Sequence, residues 1–142
     1  MRILLLGGSG LLSAAARDTL LAAGHDVSVL TRGERALPAI ARLTLLRADR
    51  GDSHSLAAAL HGERYDFTAD FLAFGAGDIA RLLAVPGFSP GRLVVISSGQ
   101  VYLVAASPRP PFREADAGGP LAPEPAPGTD RKSTRLNSSH RT

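Results

Sequence analysis

Residues 2–13, with the sequence RILLLGGSGLLS, decide the fold that the rest of the chain predicts. Residues 2–6 are apolar apart from Arg2 and show no alternation, which is typical of a strand buried on both faces. Gly7, Gly8 and Gly10 follow at once, and a helical pattern comes after them. A buried strand, a glycine-rich turn and a helix in that order predict the first βα unit of a parallel sheet.

Four further apolar segments have the length and composition of strands. They are residues 26–31, a segment within 41–49, a segment within 65–74, and residues 92–98. Helical segments alternate with these strands. Because a parallel connection has to cross a face of the sheet, and a helix fills that crossing, the alternation predicts an α/β fold with a doubly wound parallel sheet. Ligands of such sheets bind at the carboxyl ends of the strands.

Three helices are predicted between the strands. The first has small and apolar residues at helical spacing: Leu12, Ala15, Ala16, Thr19, Leu20 and Ala23. It is expected to end at Gly24, where a helix favours a residue that adopts positive φ. The second covers residues 53–62, with Ser53 as its N-cap and Asp52 sharing that role. The third is brief, over residues 78–85.

The charges of the chain divide at Thr129. The 142 residues hold 16 basic and 13 acidic side chains, and Lys132 is the only lysine. Four of the basic residues and one acidic residue lie in residues 130–142, so residues 1–129 have no net charge and contain only arginine as a basic residue. A neutral main segment is evidence against nucleic acid as a partner.

The end of the chain differs in composition from the rest. Residues 130–140, DRKSTRLNSSH, resemble a translated sequencing adapter, so we expect residues 130–142 to be a non-native, disordered tail. Residues 107–129 contain seven prolines and predict an extended loop. The predicted incomplete Rossmann-type domain therefore covers residues 1–106, without its last strands and a substrate domain.

Composition excludes several classes of protein and site. The chain has no cysteine, which excludes disulfides and thiolate chemistry and fits a cytoplasmic location. Glycines interrupt the apolar start, so a signal peptide is not expected, and no apolar run approaches the length of a membrane span. His25, His54 and His61 show no convergence that would suit a metal ion, and we expect them at the surface.

The glycine turn predicts a dinucleotide site. Gly7 and Gly10 have the G-x-x-G spacing, and Ser13 occupies the third small position. A tight turn, a close approach of the backbone to a pyrophosphate, and a helix packed near the strand all require small residues there. Amides at the helix start, at Leu11 and Leu12, then bind the phosphates, with Ser9 beside them. The alternative is a purely structural turn.

The ends of the other strands supply further candidate cofactor-binding residues: Arg32, Asp49, Arg50, Leu72, Ala73 and Ser97. An arginine after the second strand can pair with a 2′-phosphate through two N–H groups, which favours NADP over NAD, although NAD stays possible. Arg32 could instead be a solvated loop residue, and Arg35 could take the same role. Asp49 and Arg50 are placed to contact an adenine amine and ring face.

Three motifs together resemble the extended short-chain dehydrogenase/reductase family of the NAD-dependent epimerase/dehydratase type. They are GGSGLLS at residues 7–13, ADRGD at residues 48–52, and ISSGQVY at residues 96–102. The resemblance implies that Ser98 hydrogen-bonds the reacting oxygen and that Ser97 lies beside the nicotinamide. It also implies a general acid/base tyrosine with a lysine four residues later.

No Tyr-x-x-x-Lys occurs in the sequence, since Tyr102 is followed four residues on by Ala106, and Tyr65 lies on the wrong side of the sheet order. We therefore expect the parent protein to be a nicotinamide-dependent epimerase/dehydratase or reductase acting on a nucleotide-sugar-like or other carbonyl compound, and this chain to be inactive. The alternative is a non-enzymatic protein of the same fold that senses NADP or binds a protein or RNA. No membrane partner is expected, and the oligomeric state stays open.

Overall fold

The computed structural model describes residues 1–34, 39–97 and 113. The chain divides into two compact units, of which the first, Met1–Ala73 with Gly77–Ile96, contains every strand of the described part. The second comprises Phe74–Ala76 and Ser97–Thr142. The predicted proline-rich loop, except for an exposed Arg113, and the predicted tail lie outside the described residues.

The five predicted strands are all present. They are β1 (Arg2–Leu6), β2 (Asp26–Thr31), β3 (Leu43–Arg47), β4 (Phe67–Asp70) and β5 (Arg92–Val95). All neighbours in the described sheet pair in parallel, in the order β3-β2-β1-β4-β5. This order puts β1 in the centre, which explains why the apolar run after Arg2 shows no alternation: Ile3, Leu4, Leu5 and Leu6 are all buried.

Helices cover both faces of the sheet. They are α1 (Leu11–Ala22), α2 (Ser53–Leu60) and α3 (Ala76–Leu83). Leu20 and Leu21 of α1 pack on the face that Ile3 and Leu5 present, whereas Leu56, Leu60 and Leu82 of α2 and α3 join the opposite cluster with Leu4 and Leu6. The doubly wound prediction is confirmed. Within the described ranges, no helix has the length and apolar character needed to cross a membrane.

The rotation of α1 differs from the predicted helical face. Leu12 is 70% exposed, and Ala15 and Thr19 are exposed as well, whereas the helix buries Ser13 and Arg17. Alanine and leucine occupy so many positions of this helix that periodicity alone does not determine which side faces the sheet. The predicted end of the helix is confirmed, since Gly24 follows it with φ of +82°.

The N-cap of α2 is Asp52 alone, and the prediction of Ser53 was wrong. The carboxylate of Asp52 accepts hydrogen bonds from the amides of His54 and Ser55, both at 3.1 Å. Ser53 is the first residue inside the helix. A carboxylate reaches two amides at once and also interacts favourably with the positive end of the helix, which a hydroxyl does not match.

Replacing the cap tests this assignment. Asp52→Ala removes the acceptor of two amides and should lower the free energy of unfolding by about 1 kcal/mol, measured by urea denaturation followed by circular dichroism. Ser53→Ala, one residue later, is the matched control and should change it by less than about 0.5 kcal/mol. An equal loss in both variants would contradict the assignment of the cap.

Candidate functional site

The strand order reverses between β1 and β4, and this switch point is where open α/β sheets bind ligands. Residues 7–10 follow β1 and residues 72–73 follow β4, so both segments lie at the carboxyl edge of the sheet. The structure brings them into contact, because a Cβ atom on Gly7 would lie 3.0 Å from Cγ of Leu72. The Leu72 side chain therefore forms a wall directly beside the glycine turn.

The glycine turn is held tightly against β2. Gly7 has φ of +86°, a conformation that side chains disfavour, and its amide donates to the carbonyl of Leu30 at 2.8 Å. A Cβ atom on Gly8 would lie only 2.2 Å from Cγ1 of Val29 in β2. Gly8 therefore permits the close packing of strand, turn and helix that the motif requires.

The N-terminus of α1 leaves amides directed at the switch point. Gly10 is the N-cap, and the hydroxyl of Ser13 accepts from its amide at 3.1 Å and donates back to its carbonyl at 3.2 Å. The first amides of a helix have no partner inside it, so those of Leu11 and Leu12 remain for an anion. Both leucine side chains are exposed, and Ser9 beside them is half-buried.

Arg17 contacts the backbone of the glycine turn. Its Nη1 donates to the carbonyl of Gly8 at 3.3 Å, and its Nε donates to the carboxylate of Asp18 at 2.7 Å. The Arg17 hydrogen bond lowers the pKa of the exposed Asp18 carboxyl. Because Asp18 compensates the charge of Arg17, the contact of Arg17 with Gly8 holds the backbone of the turn, and the positive end of α1 favours an anion at the carboxyl edge.

Two arginines lie at the loop that follows β2. Arg32 is exposed and pairs with Glu34 at 3.1 Å. Gly33 has φ of +82°, and a Cβ atom on it would lie 3.2 Å from Nε of Arg47, the last residue of β3. The alternative candidate, Arg35, lies outside the described residues. The arrangement offers guanidinium groups to an anionic ligand at this corner of the sheet.

Asp49 and Arg50 follow β3 but differ in their surroundings. Asp49 is exposed, and its carboxylate accepts from the amide of Gly51 at 2.7 Å. The side chain of Arg50 is only 8% exposed and forms an ion pair with Asp70. Because Arg50 is buried, little of its guanidinium is accessible for the predicted contact with an adenine ring face, whereas Asp49 lies at the surface, where a ligand can reach it.

Asp70 is the last residue of β4 and is fully buried. One oxygen, Oδ1, accepts from the amides of Leu72 at 2.9 Å and Ala73 at 3.0 Å, and Oδ2 accepts from Arg50. Burial raises the pKa of the Asp70 carboxyl above its usual range, and the amide of Leu72, Arg50 and the amide of Ala73 oppose that rise. Nearby Asp78 raises the pKa further. The carboxylate thus fixes the backbone of both predicted cofactor residues after β4.

A scan against family models matches residues 3–87 to the NAD-dependent epimerase/dehydratase family. The match covers more than half of the chain. The chain belongs to this family. The resemblance seen in the sequence motifs is therefore confirmed, and the nicotinamide dependence of the family, NAD or NADP, agrees with the position of the glycine turn.

Solved structures of family-like proteins share the fold. An epimerase from Methanothermobacter thermautotrophicus is 21% identical with a TM-score of 0.65, over 81% of this chain and 40% of its own. A uronate dehydrogenase from Agrobacterium tumefaciens, complexed with NAD, is 18% identical with a TM-score of 0.55, over 73% and 42%.

Vestitone reductase from alfalfa is 22% identical with a TM-score of 0.56, over 71% of this chain and 37% of its own. The chain thus spans less than half of the length of each of these three proteins. No curated protein matched the chain.

The roles that the resemblance implies for the two serines of the third motif stay predictions in this epimerase/dehydratase chain. Ser97 is exposed and belongs to the second unit, and Ser98 lies outside the described residues. Tyr65 precedes β4 at the opposite edge of the sheet, where its amide donates to the carbonyl of Ser89 at 2.9 Å. Burial raises the pKa of its phenol, the reverse of what a catalytic tyrosine of this family requires.

Three residues that shape the site are absent from the candidates predicted from the sequence: Gly8, Arg17 and Asp70. The sequence contains a feature that could have identified two of these residues. Gly8 lies in a turn with two other glycines, and Asp70 is an acid between the apolar residues Ala69 and Phe71 of a predicted strand segment, which implies a partner for its carboxylate. Nothing local identified Arg17 in advance, because an arginine on a surface helix is normally solvated.

Two glycines of the turn should respond differently to the same substitution. Gly8→Ala places a Cβ against Val29 and should lower the free energy of unfolding by about 1–3 kcal/mol through overpacking. Gly10→Ala meets only Oγ of Ser13 at 3.5 Å, an ordinary contact, and should cost less than about 1 kcal/mol. Thermal denaturation of both variants measures the difference. Equal losses would disprove the tight approach of Gly8 to β2.

Proposed function

We propose that this chain is the cofactor-binding part of a nicotinamide-dependent epimerase/dehydratase or reductase, and that it binds NADP in preference to NAD. The observation that supports the proposal best is the glycine turn at the switch point. There the amides of Leu11 and Leu12 and the positive end of α1 favour a pyrophosphate.

The choice of NADP follows from the loop after β2. The exposed guanidinium of Arg32 pairs with Glu34 at the surface, where a dianionic phosphate could replace the carboxylate. Arg47 packs on Gly33 in the same loop and would add a second cation. Asp49, exposed after β3, would accept a hydrogen bond from the adenine amine. A 2′-phosphate would therefore meet two arginines.

The proposed substrate of the parent protein is a nucleotide-linked sugar or a similar carbonyl compound. When bound, the nicotinamide would accept or donate a hydride. Ser98 would hydrogen-bond the reacting oxygen, and Ser97 would lie beside the nicotinamide, as the family motif implies. Because the chain contains no Tyr-x-x-x-Lys, we propose that it binds the cofactor without turnover.

Titration of the 142-residue chain tests cofactor binding directly. Isothermal calorimetry should detect saturable binding of NADP and weaker binding of NAD. Gly10→Ala should weaken the binding of both dinucleotides by about tenfold or more, because the added methyl group would lie where the pyrophosphate is expected to approach the backbone. The variant should stay folded. Absence of saturable binding of both dinucleotides to the folded chain would overturn the proposal.

Arg32 should determine the preference between the two cofactors. Arg32→Ala should weaken NADP binding by about tenfold, the usual effect of losing a charge-assisted hydrogen bond, and leave NAD binding unchanged. The matched control is Arg92→Ala, which removes an exposed arginine at the amino end of β5 and should affect neither cofactor. A parallel loss of NADP and NAD affinity in Arg32→Ala would contradict a contact with the 2′-phosphate.

A further inference from the structure

The ion pair between Arg50 and Asp70 crosses the carboxyl edge of the sheet. Arg50 lies in the loop after β3, and Asp70 ends β4, whereas β2 and β1 separate these two strands in the sheet. Both side chains are buried, Asp70 completely. A single side-chain contact therefore links the loop on the predicted adenine side of the crevice to the strand that ends on its other side.

The contacts of Asp70 and Arg50 extend this link to the backbone. The amides of Leu72 and Ala73 both donate to Oδ1 of Asp70, so the carboxylate determines the path of the turn after β4. Arg50 also donates from Nη1 to the carbonyl of Asp78 in α3, at 3.4 Å. The pair thus joins the β3–α2 loop, the end of β4 and the first turn of α3.

Stability alone does not account for such a pair. Removing two charges from water is costly, and well-packed apolar side chains of similar volume often stabilise a protein equally well. The Nε of Arg50 is buried and has no hydrogen-bond partner in the described part of the chain, which is a further cost. An apolar pair, however, could not bind the two amides that Asp70 holds.

We propose that Arg50 and Asp70 are positioning residues that hold the β3–α2 and β4–α3 loops in the geometry that receives the dinucleotide. This inference rests on the proposed cofactor function. Its geometric basis is the Leu72 wall: the turn that Asp70 fixes presents Leu72 to Gly7, beside the expected pyrophosphate site. On the other side, Arg50 anchors the loop that carries the exposed Asp49.

A double variant separates positioning from folding. Arg50→Met with Asp70→Asn removes both charges together, so no buried charge is left unpaired, and the thermal midpoint should stay close to that of the unmodified chain. The dissociation constants of NADP and NAD should both rise about tenfold, because the pair would position parts of the site that the two cofactors share. Arg50→Met alone should lower the thermal midpoint more than the double variant does.

Hydrogen exchange of the cofactor-free chain provides a second measurement. The amides of Leu72 and Ala73 should exchange faster in the double variant than in the unmodified chain, because the introduced carboxamide accepts more weakly and no guanidinium orients it. The matched control is Arg2→Met with Glu63→Gln, which removes an exposed ion pair of 2.7 Å at the amino edge. This control should change neither the exchange of those amides nor cofactor binding.

The outcomes distinguish the two proposals. If the unmodified chain binds neither dinucleotide, the proposed function fails, whatever the exchange data show. If it binds them and the double variant binds equally well, the positioning role is overturned. Should the double variant not fold, Arg50→Lys keeps the charge but lacks the planar fork that reaches both Asp70 and Asp78. Arg50→Lys should still weaken the binding of both cofactors. Unchanged affinity for NADP and NAD in this variant would also overturn the positioning role.

Discussion

The close approach of Gly8 to Val29 is the constraint on which the first βα unit depends. No side chain fits between the turn and β2, since a Cβ atom there would lie 2.2 Å from the valine. The chain can therefore leave β1, reverse sharply at Gly7 and begin α1 directly above the carboxyl edge. If the turn were wider, the helix would start farther from the switch point, and its first amides would no longer face a common ligand position.

A buried charge organises the other side of the switch point. Asp70 brings a carboxylate to the end of a core strand, and such a group needs several donors. Arg50 and two backbone amides supply these hydrogen bonds. The donors that one buried carboxylate requires therefore come from the loops that follow β3 and β4. The backbone of the glycine turn packs closely because glycine has no side chain, whereas a buried charge holds the backbone on the other side of the switch point.

Local sequence patterns were sufficient to predict the sheet. They were not sufficient to predict contacts between segments that are distant in the sequence. All five strands, the glycine turn and the family follow from apolar runs and short motifs that need only neighbouring residues. The rotation of α1 was not predictable, because its alanines and leucines leave periodicity ambiguous. The partner of Asp70 lies 20 residues away and beyond two intervening strands, so no pattern within one element identifies Arg50. The cap at Asp52 was ambiguous because two adjacent residues both favour that position.

Packing and the proposed cofactor binding involve different residues of the same short turn. Gly8 is buried and packs closely against β2. Gly10 is exposed, and the methyl group of an alanine at this position would contact little of the protein. A purely structural turn does not require space at Gly10 or exposed leucine side chains at the helix start. These two features together favour a turn that is shaped for a ligand. Because each concerns a different residue and a different contact, they support that interpretation independently.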